Sequence, residues 1–322
     1  MLFSVIIPCF NAANHICDCL EELLKQTKDD TEIILIDDGS SDNTLSIINS
    51  YKENKQIKII ENKINMGVSF SRNKGIEHAT GKFILFLDSD DKYINGLFDY
   101  LRETTYNNSN IDIISFSFLR KGGKYKKETL YSCTKLDKKI FNNSLFLKNF
   151  CTKKINQSIC SAAFSRQLIL KNKIYFDLNT TIGEDVEFQI NSIICAKRIY
   201  YTSNIFFIYN YNESSVTNAK LAHKHLSFFN IYSRLKKIML NKGMKKQIHF
   251  LTFYYTYSFF YLLSIALNSN DIELTEKIIS HDRIINEKSY FNILNIKTVM
   301  TFFMRFIYKK NKNLAINLLK II

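Results

Sequence analysis

FILFLDSDD, residues 83–91, is the stretch whose reading decides the fold. Five apolar side chains in a row, Phe83, Ile84, Leu85, Phe86 and Leu87, predict a strand buried on both faces, as in parallel sheets covered by helices on either side. Asp88, Asp90 and Asp91 follow without a spacer, so a buried strand delivers acid groups at its carboxyl end, where open α/β sheets hold their ligands. Hard carboxylate oxygens with no His or Cys beside them suit Mg²⁺ or Mn²⁺, the shell being completed by water and substrate phosphates. A strand-to-helix turn with Asp or Ser at the N-cap accounts for the same letters. This stretch alone does not choose between the two.

Upstream the pattern repeats. Residues 3–7 read as a strand ending at Pro8, the only proline. Residues 12–25 place Ile16, Leu20, Leu23 and Leu24 on one helical stripe. Residues 32–36 form a second buried strand that also ends in acids, Asp37 and Asp38, before Gly39; Ser40 or Ser41 is positioned to cap a helix reaching about Tyr51. Residues 57–60 read as a third strand, 66–79 as a third helix and 83–87 as the fourth strand. Strands alternating with helices of this length predict an α/β fold, a parallel sheet with right-handed crossovers.

Composition bounds the rest. A chain of 322 residues with 46% hydrophobic side chains supports a sizeable core and exceeds one ordinary domain, so an α/β domain plus a smaller helical part is expected, and a disordered protein is excluded. The seven cysteines lack CxxC spacing and are odd in number, which points to reduced thiols in a cytosol rather than a disulfide framework or a zinc site. The apolar opening MLFSVIIPCF has no Lys or Arg before it and stops at Asn11, so it reads as a first strand and not as a signal peptide. Of the net charge of +14, the residues from Lys220 on carry +12, with 17 Lys/Arg against 5 Asp/Glu. The charge belongs to the tail.

Several residues near the strand ends have a chemical reading. Asp38 can accept from the imide N–H of uracil, a donor cytosine lacks; standing alone it reads first as an N-cap. Asn65, Gly67 and Arg72 set a glycine turn and a guanidinium before the acid strand, where Arg suits a pyrophosphate or a carboxylate partner; an Arg paired with Glu77 or Asp90 is the competing view. Pro8, Phe10 and Asn11 either frame a base edge or mark a plain strand exit. Farther on, TIGEDVEF, residues 181–188, puts Glu184 and Asp185 at a helix start, where acids complement the dipole.

VIIPCFNA, EIILIDDGSSDNT, NMGVSFSRNKGI and GKFILFLDSDD, in this order and at these spacings, resemble the nucleotide-binding half of family 2 glycosyltransferases of the GT-A type. The resemblance covers about the first 120 residues. It implies a Rossmann-like, mostly parallel sheet flanked by helices, a UDP-sugar donor and an inverting transfer. It further implies that Asp38 meets uracil, that Asp90 ligates Mn²⁺ or Mg²⁺ with Asp88 and Asp91 as further candidates, and that Asp88 and Ser89 lie near the ribose or donor sugar. An acidic pair opening a helix after the D-x-D is similar to the family's catalytic pair, which carries the general base over to Asp185 with Glu184 in support. IFFIYNYNESSVTN, residues 205–218, resembles the segment that closes the site, and His223 and His225 follow as candidate ligands, although imidazole is a less usual partner for Mg²⁺.

The expected division is therefore a catalytic domain over 1–218, with 1–120 binding the nucleotide-sugar and 121–218 facing the acceptor, and a basic, aromatic-rich helical region over 219–322. Residues 250–267 carry no charge, yet their length is at the lower limit for a span and they are rich in Tyr, so a buried or interfacial helix fits better. Residues 298–322 mix Phe302, Phe303, Phe306 and Ile307 with Arg305, Lys309, Lys310 and Lys312, which suits an anionic membrane surface or a helix packed with its lysines outward. The basic, aromatic-rich tail holds no nucleic-acid reading motif, and no GxGxxG follows the first strand, which disfavours a dehydrogenase. Absence of Trp excludes the Q-x-x-R-W of processive synthases. The resemblance implies a cytoplasmic hexosyltransferase, peripheral on the inner membrane face, acting on a glycan or lipid-linked acceptor in capsule or lipooligosaccharide synthesis; a non-catalytic nucleotide-binding or scaffold protein is the alternative.

Overall fold

The computed structural model describes residues 1–122, 128–211, 226–292 and 295–320. They divide into two compact units, one holding residues 1–146, 155–179 and 184 through the last strand, the other residues 147–154, 180–183 and the C-terminal helices. The boundary expected at residue 218, His223 and His225, and the end of the expected closing segment fall outside the described residues.

The first unit is built on a ten-stranded sheet. It opens with β1 (Phe3–Cys9), α1 (Ile16–Leu24), β2 (Thr31–Asp37), α2 (Thr44–Asn49), β3 (Ile57–Glu61), α3 (Val68–His78) and β4 (Phe83–Phe86). These four strands lie parallel in the order β3-β2-β1-β4. All residues of β2 and β4 are buried, which is why both read as unbroken apolar runs.

Pro8 lies inside β1, beside Ile36, rather than ending it. The Ile6 carbonyl accepts from Leu87 on the β4 side and the Cys9 carbonyl from Asp38 on the β2 side. By alternation the Pro8 nitrogen faces β4 beyond that strand's last paired residue, so no ladder bond is lost. Ser40 and Ser41 do not cap α2, whose N-cap is Asn43; Asp42 receives the Thr44 N–H instead.

Beyond β4 the sheet is mixed. In chain order follow β5 (Lys92–Tyr93), α4 (Leu97–Asn107), β6 (Ile113–Lys121), β7 (Thr129–Tyr131), β8 (Lys139–Phe141), α5 (Asn143–Cys151), β9 (Ala162–Ser165), α6 (Arg166–Asn172), α7 (Glu184–Cys195) and β10 (Ile199–Asn210). β9 enters antiparallel between β4 and β6, and β10 runs parallel to β6. The short β5 pairs antiparallel with β10, Phe207 opposite Tyr93 and Ile208 opposite Lys92, so the end of β10 is brought beside the acid turn.

The second unit is helical: α8 (Ser227–Asn241), α9 (Ile248–Asn268), α10 (Ile272–Ile279), α11 (Ile296–Lys310) and α12 (Lys312–Leu319). The charge-free run is α9, long and apolar enough to cross a membrane, yet about two thirds of its most apolar stretch is buried inside the protein (67%). α8, α10, α11 and α12 all pack against it. The basic helical region breaks at Asn311, whose side chain accepts from the Leu314 N–H and starts a new helix.

Candidate active site

The exits of β1 and β2 and the entry to α3 form one hydrogen-bonded rim. Asp38, 3% exposed, accepts from the Asn62 amide (2.8 Å) and the Met66 N–H (3.0 Å) on one oxygen and from the Gly67 N–H (2.8 Å) on the other. It caps no α2 terminus; it fixes the turn ahead of α3. Gly39 makes this approach possible, because its φ is +70° and a Cβ there would sit 2.6 Å from the Ile64 carbonyl carbon. Asn11, at φ +49°, accepts from the Ser41 N–H (2.9 Å) while its own N–H donates to the Ser40 hydroxyl (3.1 Å). Asn65 accepts a second bond from Gly67 N–H, and Phe10 stands exposed at the same strand exit. Of the Asp38 carboxylate, one lone pair on Oδ2 is left for a further donor.

The acid turn is closed by the Asp91 N–H donating to the Asp88 carbonyl at 3.0 Å. Asp91 is buried; one oxygen accepts from the Asn210 N–H at 2.8 Å, and the other has no hydrogen-bond partner among the described residues. The Asn210 side chain donates to the Asp90 carbonyl at 2.7 Å, so β10 holds the turn from outside. Ligand atoms of Asp88, Asp91 and Cys160 lie within 4.8 Å of one another. Asp90, first in line from the sequence as the metal ligand, is not in that group; together with Asp91, Ser89, His15, Asp18 and Asn210 it lines a cavity of about 650 Å³. Burial, then the charges of Asp88 and Asp90, push the Asp91 carboxyl up to about 9 against the pull of the Asn210 N–H. Burial also raises the Cys160 thiol, and sulfur is a soft donor that a hard divalent cation does not select. The donor set offered is therefore carboxylate oxygen, with one buried oxygen unpaired, and it fits Mg²⁺ or Mn²⁺.

Arg72 ties this turn to the second acid pair. Its guanidinium, 4% exposed, donates to Asp88 Oδ1 at 2.8 Å and to Glu184 Oε1 at 3.4 Å, and lies 5.3 Å over the Phe176 ring. It pairs with neither Glu77 nor Asp90, and in this arrangement its terminal nitrogens go to carboxylates. Phe176 is itself stacked on Phe188 of α7 at 4.3 Å and held by two 2.8 Å bonds between its backbone and the Asn73 amide. Burial and then Asp185 push the Glu184 carboxyl up to about 7, against the pull of Arg72. Asp185 is also raised, by burial first, with Arg72 and the Val186 N–H opposing and Asp88 adding to the rise. Two acid clusters about a hundred residues apart in sequence thus share one guanidinium and one electrostatic neighbourhood. Asp185 and Arg72 are not among the described residues lining the 650 Å³ cavity.

The profile described as "Glycosyl transferase family 2" matches residues 4–170. The chain belongs to this family. It is 29% identical over 288 residues to "Cholesterol galactosyltransferase" of Borreliella burgdorferi, an alignment covering 83% of this chain and 77% of that protein. It is 31% identical over 214 residues to "Poly(ribitol-phosphate) beta-glucosyltransferase" of Bacillus spizizenii, covering 65% of this chain and 32% of that longer protein. Among solved structures, S. aureus TarS 1–349 in complex with UDP-GlcNAc superposes with a TM-score of 0.73 at 21% identity, over 89% of this chain and 81% of that one. That likeness shows a shared GT-A fold, with the central sheet flanked by helices.

The site also holds residues that the sequence did not single out. Asn210 lies in the stretch that resembles the family's closing segment, where a single asparagine carries no signal of its own. Phe176 and Cys160 gave no signal, since each is one apolar or small residue among many.

Proposed function

We propose that this glycosyltransferase moves a hexose from a UDP-sugar to a hydroxyl of a glycan or lipid-linked acceptor, with inversion, in the assembly of a bacterial surface polysaccharide. The observation that carries the reading is the Arg72 bridge, which holds the acid turn after β4 and the acid pair opening α7 as parts of one site. The rim of Pro8, Phe10, Asn11, Asp38, Asn65 and Gly67 takes the uridine, the remaining lone pair of Asp38 serving the uracil imide. Asp88 and Ser89 face the ribose or donor sugar, and Asp91 with Asp88 and Asp90 would hold the cation. A bound Mg²⁺ or Mn²⁺ would supply charge neutralisation for the diphosphate.

Asp185 takes the proton of the acceptor hydroxyl while that oxygen attacks the anomeric carbon from the face opposite the diphosphate. The new C–O bond forms as the bond to the diphosphate breaks, and UDP departs with the electron pair. Burial raises the Asp185 carboxyl above its ordinary range, as suits a base, and Arg72 pulls the other way and favours the ionised form. Glu184, linked to Arg72, supports that balance. No covalent glycosyl-enzyme is needed. Support for the donor comes from the UDP-GlcNAc and UDP named with the solved relatives, and for the acceptor class from relatives named for cholesterol and for poly(ribitol-phosphate).

The test is UDP release from UDP-Glc, UDP-Gal, UDP-GlcNAc, UDP-GalNAc and UDP-GlcA, with Mn²⁺, with Mg²⁺ and with chelator. One donor turning over, and only with metal present, is the expected result. UDP binding without release from any donor would favour the alternative, a non-catalytic nucleotide-binding protein.

A further inference from the structure

α11 is packed inside out. Its buried side chains are Thr298, Thr301, Arg305 and Tyr308, a stripe at helical spacing, while Ile296, Met300, Phe302, Phe303 and Phe306 are between 49% and 69% exposed. A helix on a water-facing surface does the reverse. The polar side faces inward because it is hydrogen-bonded there: Thr298 donates to the Asn292 carbonyl at 2.6 Å, and Arg305 donates to the carbonyls of Ile285 and Glu287. Those bonds settle which way the helix turns, and the aromatic side is left outside.

Charge on this face has one sign. Residues 296–320 contain six Lys/Arg and no Asp or Glu. Lys312 is engaged by Asp282 at 3.0 Å, whereas Lys309 and Lys310 are exposed at the end of α11. A cavity of about 220 Å³ opens here, lined by Ser289, Tyr290, Thr301, Phe302, Arg305 and Lys309. Arg305 Nη1 and Ser289 Oγ are buried with no hydrogen-bond partner among the described residues. An apolar surface bordered by cations, with a partly unsatisfied guanidinium beside it, is complementary to phosphate groups lying above hydrocarbon.

We propose that the exposed face of α11 docks on an anionic phospholipid bilayer, with Phe302, Phe303 and Phe306 entering the boundary between headgroups and acyl chains and the cavity between Arg305 and Lys309 receiving a lipid phosphate. A second copy of the chain is the weaker occupant, because two such faces would set like charges against each other. The docking is independent of the sugar transfer proposed above and stands or falls separately.

The experiment is co-sedimentation of the full chain with vesicles of phosphatidylglycerol and phosphatidylcholine, and with phosphatidylcholine alone, at low and high salt. The wild type is expected to sediment with the anionic vesicles at low salt and to be released by high salt. Phe303→Ser combined with Phe306→Ser, and separately Lys309→Glu, should each weaken binding about tenfold or more while UDP binding stays unchanged. All three side chains are exposed, so folding is not at stake, and the far-UV circular dichroism and thermal unfolding of each variant verify it. No binding of the wild type to anionic vesicles would overturn the proposal. So would undiminished binding by both variants, or concentration-dependent self-association that the Phe303→Ser/Phe306→Ser variant abolishes while vesicle binding is absent.

Discussion

Replacing Arg72 by Met keeps an unbranched side chain against Phe176 and deletes the cation that, among the described residues, touches both Asp88 and Glu184. Removing one partner of a sealed ion pair costs about 3–5 kcal/mol. Here Asp88 is 37% exposed and the Glu184 contact is long at 3.4 Å, so solvent screening lowers the expected loss to about 2–3 kcal/mol near pH 8. The loss should depend on pH with a definite sign. The folded-state pKa of Glu184, about 7, stands above its ordinary 4.5, so the folded chain holds that proton more tightly and stability falls as pH rises across this window. Arg72 opposes the rise; without it the carboxyl climbs further and the uncompensated charge weighs most above the window. Near pH 6 Glu184 is mostly protonated with or without Arg72, and the loss should shrink to about 1 kcal/mol. Urea unfolding followed by far-UV circular dichroism at the two pH values measures both numbers. Equal losses at both, or a loss below about 0.5 kcal/mol near pH 8, would refute the bridge as an energetic link.

The same pair sets a kinetic expectation: kcat/KM should rise with pH through a limb near about 7 that belongs to Glu184 and Asp185 jointly, and Glu184→Gln should move the limb lower by removing a like charge. A profile flat across that region counts against a carboxylate base in this pair. Gly39→Ala forces a side chain into the Ile64 backbone at a positive φ, and should cost about 3 kcal/mol or more by thermal or urea unfolding, while a neutral outcome would mean the rim is not rigid. Asp91→Ala should weaken Mn²⁺-dependent UDP binding by more than about tenfold, and Asp90→Ala should weaken it too, in calorimetry with and without Mn²⁺. Identical binding in both conditions for the wild type would remove the cation from the account.

Much of the first unit was legible because burial leaves a local mark. β2 and β4 are buried along their whole length, and unbroken apolar runs ending in acids announce this without reference to the rest of the chain. Partnership leaves no such mark. Arg72 reads in sequence as a guanidinium near an acid strand, but that its nitrogens reach Asp88 and Glu184 depends on α7 packing back through Phe188 on Phe176. The place of Asp91 in the converging cluster is hidden for a similar reason. Which carboxylate of a D-S-D-D turn points inward is decided by the Asn210 N–H, delivered by a strand more than a hundred residues later. Ser40 and Ser41 have the right chemistry for a cap, and the backbone spends them on Asn11. α11 shows the limit of periodicity most plainly: the pattern reveals a two-faced helix, while the inward face is chosen by hydrogen bonds from Thr298 and Arg305 to backbone carbonyls elsewhere in its unit.

The central claim is that the acids at the start of α7 act on the substrate held at the acid turn after β4, and the direct measurement is turnover against UDP binding in Asp185→Asn. The account predicts UDP affinity within about threefold of wild type and a fall in turnover of roughly 10²-fold or more. Turnover at the wild-type rate in this variant would contradict it.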